Sequence, residues 1–389
     1  MAKLKFGTFL APIHEPGQNP TLLLHRDIEL VQYLEQLGYD EAWFGEHHSA
    51  GAEIYASPEL MIASAGARTS RIKLGTGVTS VSYHNPLWAA ERMVMLDHLT
   101  RGRALFGLGP GSLPTDAAML GLSQIDTREL LAENADIIMR LLRGETVSAK
   151  TRTHELIDAK IQMAPYSDPL FDVVAAAVAS PSGARLAGKH GIGLLSIAAT
   201  LTADGFSALQ HHWGILEEFA AQSGRSEEVD RSTWRLVGPF HIAETKEQAY
   251  KDVEHGIEYW FNYLQHVAAF PQMDVRGDTK REMIDFINTA GIGVIGTADE
   301  ARAQVQRLID QSGGFGTLLI QGHDWANPQA TRRSFELFAQ DVIPYFQGQA
   351  QPMIDAAERA AAVREGQAEA HSAALEHMTK KYEAELKGN

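Results

Sequence analysis

Short apolar runs alternate with segments of helical period through most of this chain, and that alternation restricts it to the α/β class. Lys3 to Leu10 reads as a strand, Leu22 to Leu37 as an amphipathic helix closed by Gly38, and Asp40 to Glu46 as a second strand. Helix Pro58 to Thr69, strand Ile72 to Ser80, helix Pro86 to Leu99, strand Ala104 to Gly109 and helix Thr127 to Leu142 follow. A small hairpin is expected within Val147 to Met163, then strand Asp172 to Ala179, helix Gly183 to Lys189 and strand Gly193 to Ala198. Helix Leu209 to Ala221, strand Trp234 to Ile242 and strand Thr317 to Gln321, with a helix from Pro328 into Phe346, complete the pattern.

Eight strands, each followed by a helical segment, predict a (β/α)8 TIM barrel with insertions. An open doubly wound sheet is the rival. Against it, the stretch Gly107, Gly109, Gly111 puts Ser112 where the third glycine of a dinucleotide fingerprint belongs, and Pro114 follows instead of a clear helix start. In a barrel, the carboxyl ends of the strands carry the active site. The barrel is expected over 1–350. An insertion at 250–296, where Pro271 and Gly277 interrupt the helical pattern, reads as a mobile lid. Residues 351–389 shift to alanine and charge, with Leu375, Met378, Tyr382 and Leu386 at helical spacing, and predict a helical tail.

Composition narrows the chemistry. With 44% hydrophobic and 21% charged residues the chain can build a large core, and its net charge of −15 argues against a nucleic-acid partner. The absence of cysteine removes disulfides, thiolate nucleophiles, iron–sulfur clusters and thiolate zinc sites together. The most apolar run, Val173 to Ala179, is too short to span a bilayer, and Met1 to Leu10 lacks a signal-peptide pattern. A cytoplasmic protein with no membrane partner is expected.

Three constellations stand at predicted strand ends. Trp43-Phe44-Gly45-Glu46-His47-His48 closes the second strand, and side-chain alternation allows one of the two histidines to face the barrel mouth. The alternative is that they cap the strand. Thr76-Gly77-Val78-Thr79-Ser80 ends the third strand ahead of His84-Asn85-Pro86; its glycine admits a flat ring or merely marks a bulge. Ser180-Pro181-Ser182-Gly183 lies between an apolar strand and a helix, an arrangement that binds phosphate or simply caps the helix. Phe9, Trp43, Phe106, Leu113 and Trp325 could line an apolar pocket or serve as core.

Several short motifs in order, from the Lys-Phe-Gly first strand onward, carry a resemblance. They are Gly38-Tyr39-Asp40 leading to Trp43 and Glu46-His47-His48, Leu74-Gly75-Thr76-Gly77, Asp97 with Arg101-Gly102-Arg103, and Gly296-Thr297-Ala298-Asp299-Glu300. Together, from about residue 3 to residue 346, they resemble the bacterial luciferase-like flavin monooxygenases. Phe9-Leu10-Ala11-Pro12, Tyr83-His84 and Ser180-Pro181-Ser182-Gly183 most resemble the limonene 1,2-monooxygenase-like branch.

The resemblance implies a barrel enzyme using O2 and reduced FMN, supplied by a separate NAD(P)H-dependent flavin reductase, to insert one oxygen into a small apolar substrate such as a terpene. It also implies a homo-oligomer. His47 matches the family histidine beside the flavin, in a donor or general acid–base role, with Glu46 orienting it. Gly77 and Val78 match the backbone beneath the isoalloxazine, often joined by a non-prolyl cis bond, and Ser180, Ser182 and Gly183 would take the flavin phosphate. Two departures stand out. Pro110 replaces an arginine that helps bind phosphate in luciferase, and His84-Asn85, a further catalytic candidate, is shifted relative to the usual His-Pro pair. A deazaflavin-dependent hydride transferase on the same barrel stays open, although those relatives carry Asp-His where this chain has Glu46-His47-His48. A noncatalytic flavin-binding protein also stays open. A metal-dependent hydrolase is disfavoured because carboxylates and histidines do not repeat at strand ends as ligands, so no metal is expected.

Overall fold

All eight expected barrel strands close into one parallel barrel in the computed structural model, which describes residues 3–178, 180–197, 203–268 and 275–387. The first four strands are β1 (Lys5–Leu10), β2 (Glu41–Phe44), β3 (Lys73–Ser80) and β4 (Ala104–Gly109). An antiparallel hairpin of β5 (Val147–Lys150) and β6 (Glu155–Ala159) precedes β7 (Val173–Ala177), β8 (Gly193–Ser196) and β9 (Trp234–Gly238). A short parallel pair, β10 (Phe240–Ile242) and β11 (Val294–Gly296), stands outside the barrel, and β12 (Thr317–Gln321) closes it against β1 and β9. The expected strand ends at Ala179 and Ala198 lie outside the described residues.

The interior explains why these runs are apolar on both faces. Phe9, Trp43, Leu105, Val174, Leu195, Val237 and Leu319 come from seven strands and form one buried cluster. The eighth, β3, contributes Gly75, where an added Cβ would lie 2.5 Å from the Trp43 indole. A glycine there lets the largest side chain lie across the barrel. Phe106, a pocket candidate, is fully buried but outside this cluster, as expected one residue after inward-facing Leu105.

The surrounding helices are α1 (Pro20–Leu37), α2 (Pro58–Gly66), α3 (Pro86–Thr100), α4 (Pro114–Met119), α5 (Gln124–Leu142), α6 (Ser182–His190) and α7 (Ala203–Gln222). Then come α8 (Lys246–Val253), α9 (Ile257–His266), α10 (Lys280–Thr289), α11 (Ala298–Ser312) and α12 (Pro328–Leu337). Asn19, Asn85 and Asn327 each cap a helix with proline in its first turn, and Thr297 with Glu300 forms a capping box that starts α11.

The structure corrects two readings and gives detail to two more. Trp234 to Ile242 is not one strand: Pro239 has no N–H for the ladder, so the chain leaves the barrel after Gly238 and re-pairs with β11. Pro114 does begin a helix, α4, with proline in its first turn. The 250–296 insertion contains α9 and α10, with Trp260 and Phe261 buried; Phe270 and Pro271 lie outside the described residues. The helix expected from Pro328 into Phe346 is α12, a π-turn at Phe338–Val342, and α13 (Ile343–Gln347).

The chain divides into a unit ending at Ile343 and a second from Pro344 onward. The second contains α14 (Gln351–Ala362) and α15 (Arg364–Lys387), neither of which buries a residue. Among the described residues no helix is long and apolar enough to cross a membrane.

Candidate functional site

β2 delivers the polar constellation to the barrel mouth. Gly45 still donates to the Leu10 carbonyl at 2.9 Å, but the strand itself ends at Phe44, and the pleat that would send His47 and His48 to opposite faces is gone. Both histidines therefore reach mouth carboxylates, where alternation had allowed one to face the mouth.

Glu46 is the hub of the first cluster. Its side chain is fully buried; Oε1 accepts from His84 Nε2 at 2.8 Å and His48 Nε2 at 3.0 Å, while Oε2 accepts the Ser80 amide at 2.9 Å. Burial alone would raise its pKa, but these donors overcome that and bring it down to about 2. An ionised Glu46 fixes a proton on Nε2 of both rings. Neither Nδ1 has a hydrogen-bond partner among the described residues. The hydrogen bond to Glu46 also raises the His48 pKa.

His47 sits in a second cluster. Nδ1 is 3.1 Å from Asp116 on α4 and Nε2 is 3.3 Å from Glu53, so both ring nitrogens face carboxylates. Burial opposes the charged ring, yet Glu53 and Asp116 outweigh it and raise the pKa. Asp116 also accepts the His48 amide at 3.1 Å and the Ser49 hydroxyl, and despite burial its pKa is lowered, chiefly by His47 and Ser49. Burial raises the Glu53 pKa. His47 is thus clamped rather than exposed as a lone donor. Asp116 and Glu53 escaped the sequence reading, and His48 entered it only as the alternative to His47. Asp116 carried a usable signal, a carboxylate in the first turn of a helix opened by proline; Glu53 carried none.

The Gly77–Val78 peptide bond is cis. A Cβ on Gly77 would lie 2.6 Å from the Phe9 ring, so packing inside the barrel already accounts for the glycine. Beside it, Thr79 Oγ1 and Tyr83 OH are buried without a hydrogen-bond partner among the described residues. The Tyr83 ring packs edge-on to His48 with centroids 5.9 Å apart, and an added Cβ on Gly111 would strike its hydroxyl at 2.1 Å.

The Ser180 and Ser182 hydroxyls are 2.8 Å apart at the start of α6, which has no side-chain cap and no acidic residue in its first turn. The capping alternative therefore does not describe these serines. A Cβ on Gly183 would meet the Ala176 carbonyl at 2.0 Å, so this glycine lets α6 begin tight against β7. Ser180 to Gly183 are well separated in sequence from the Glu46 and His47 clusters, and none of the three bonds to those clusters.

A closed parallel barrel with buried histidine–carboxylate clusters and unpaired donors at one mouth defines a barrel enzyme class. Residues 4–314 match the model of the luciferase-like monooxygenases, and the chain belongs to that family. It is 46% identical to limonene 1,2-monooxygenase from Rhodococcus erythropolis, over 98% of this chain and 97% of that one. It is 41% identical to 4-hydroxyprotoasukamycin monooxygenase from Streptomyces nodosus subsp. asukaensis, over 90% and 94%. The oxygenating constituent of 3,6-diketocamphane monooxygenase from Pseudomonas putida, solved with FMN, shares the fold at a TM-score of 0.73 and 22% identity, covering 88% and 98%.

Proposed function

We propose that this protein is the oxygenase of a two-component system. It takes reduced FMN from a separate NAD(P)H-dependent flavin reductase and uses O2 to place one oxygen atom on a small apolar substrate, with limonene-type epoxidation of a terpene as the first reaction to test. The observation that carries this reading is 46% identity to a limonene 1,2-monooxygenase over nearly the full length of both chains.

The residues present fit the cofactor. The uncapped first turn of α6 with its two hydroxyls offers a phosphate site, and the unpaired Thr79 and Tyr83 hydroxyls offer donors near the Gly77–Val78 backbone, where the ring system would lie. Reduced FMN, when bound, supplies the electrons that let one atom of O2 enter the substrate while the other leaves as water. Ser180, Ser182 and the Gly183 amide would hold the phosphate. Glu46 holds His48 and His84 in one tautomer, leaving two Nδ1 atoms to exchange hydrogen bonds or protons with the reacting oxygen. His47, whose pKa Glu53 and Asp116 raise against burial, favours the protonated ring at the mouth. A homo-oligomer is supported by Trp88, Met95 and Leu99, exposed at 58%, 50% and 60% along α3.

The test supplies NADH, FMN, a flavin reductase and O2, then screens terpenes, aldehydes and cyclic ketones for gain of one oxygen. Oxygenated product that requires both FMN and O2 supports the reading. Reduction of a substrate by reduced deazaflavin without O2 would replace it with hydride transfer.

A further inference from the structure

The roof of the barrel mouth carries three buried donors that find no hydrogen-bond partner among the described residues. Trp260 and Tyr263 lie three residues apart on α9 and so share a helix face, and both are buried, at 1% and 0% exposure. Trp325, fully buried, stands just beyond β12. All three belong to one apolar cluster with Ile13, Ala52 and Leu113, which follow the carboxyl ends of β1, β2 and β4. The cluster therefore closes over the face where a barrel enzyme works. The Trp260 and Trp325 rings meet edge-on at 5.3 Å. Yet Trp260 Nε1, Tyr263 OH and Trp325 Nε1 have no hydrogen-bond partner among the described residues.

Buried donors are normally paired, and leaving one unpaired costs more than a made bond returns. An indole N–H can only donate, so the missing partner must bring oxygen lone pairs. Water can serve while the mouth is empty. A substrate entering beneath α9 displaces it, and a pure hydrocarbon would leave the donors bare.

Building on the monooxygenase reading, we propose that α9 selects substrates with an apolar body and a carbonyl or hydroxyl oxygen, and that Tyr263 and Trp260 are the residues that read this oxygen. The hydrocarbon is then the poorer ligand and the oxygenated analogue the better one. The Tyr263 hydroxyl lies close enough to Glu53 and Asp116 for their charges to add to burial in raising its pKa, so it stays a donor throughout the working pH range. The donors that face the cofactor in the reading above, Thr79 and Tyr83, sit instead on the β3 side of the mouth.

Limonene and carvone provide the probes, since they share a skeleton and differ by a ring carbonyl. Binding to the full chain is followed by tryptophan fluorescence, independently of turnover, for the wild type, Tyr263→Phe and Trp260→Phe; affinity for reduced FMN is measured in parallel. The wild type should bind carvone about tenfold tighter or better, and each variant should lose most of that preference while keeping its affinity for reduced FMN. Equal binding of the two compounds by the wild type overturns the proposal, as does a preference that survives both substitutions. A variant that loses FMN affinity with its carvone preference intact assigns the donors to the cofactor and also overturns it. Preferential binding of carvone without oxygenated product from any compound of the screen would leave this inference standing and remove the oxygenase reading.

Discussion

The two ends of this barrel bury charge in opposite ways. At the amino-terminal end, Arg235, wholly buried on β9, donates to Glu41 at 3.0 and 3.2 Å and to Asp172 at 2.6 Å, and stands 5.6 Å above the Trp43 ring. Glu41 also accepts from the Trp43 indole at 2.9 Å. The cation there holds its charge at any accessible pH, and its neighbours are satisfied. At the carboxyl-terminal end the groups facing the carboxylates are histidines, whose charge depends on pH and surroundings, and two of them keep a ring nitrogen without a partner among the described residues. The difference separates a device that closes a barrel from one that can exchange protons.

The contrast predicts its own ways of failing. Replacing Arg235 with Met should leave Glu41 and Asp172 buried without a cation and cost about 3–5 kcal/mol in urea unfolding. A loss below about 1 kcal/mol would mean the closed end is not sealed by charge. His47→Ala should also destabilise, by about 2–3 kcal/mol, because it strands Glu53 and Asp116; a variant as stable as the wild type would show that His47 is a freely exposed donor after all.

The mouth should show its histidine character in acid. The Glu46 carboxyl is held below its ordinary 4.5, at about 2. Its stabilisation is therefore complete above pH 4.5 and lost as pH falls toward 2, an effect of up to about 3 kcal/mol. Urea unfolding of the wild type and Glu46→Gln between pH 6 and 3 measures it; the variant should lack this part of the acid slope, and parallel curves would contradict the assignment. The smallest effect is expected at α6. The double change Ser180→Ala and Ser182→Ala should weaken reduced FMN about tenfold, roughly 1.4 kcal/mol, with little change in riboflavin affinity. An equal loss for both would place the phosphate elsewhere.

Local sequence signals account for the strands but not for the contacts between them. Each barrel strand is a short apolar run, and Glu46-His47-His48 falls just past the end of β2 as its position implied, while Gly77-Val78 lies within β3. Pro239 was visible, yet its effect on one long apolar run was outweighed by the run itself. The carboxylate opposite His47 comes from Asp116, 69 residues away, and Glu46 meets His84 across 38 residues. Nothing in the neighbourhood of either residue states that pairing; it exists only once β2, β3 and α4 are brought to the same mouth. Likewise the 250–296 insertion reads as a lid from its interruptions, and only the fold shows that α9 packs Trp260 and Phe261 in one cluster with residues from the loops after four barrel strands.

The claim that the Glu46–His48–His84 cluster steers oxygen into substrate is tested most directly by coupling. Oxygenated product and hydrogen peroxide are counted against reduced FMN consumed, for the wild type and Glu46→Gln, with the best substrate of the screen and at a pH where both are folded. The wild type should direct most of its reducing equivalents into product. The variant should lose about 100-fold in its product-to-peroxide ratio while retaining affinity for reduced FMN. An unchanged ratio in Glu46→Gln would contradict the account and return the cluster to a purely structural role.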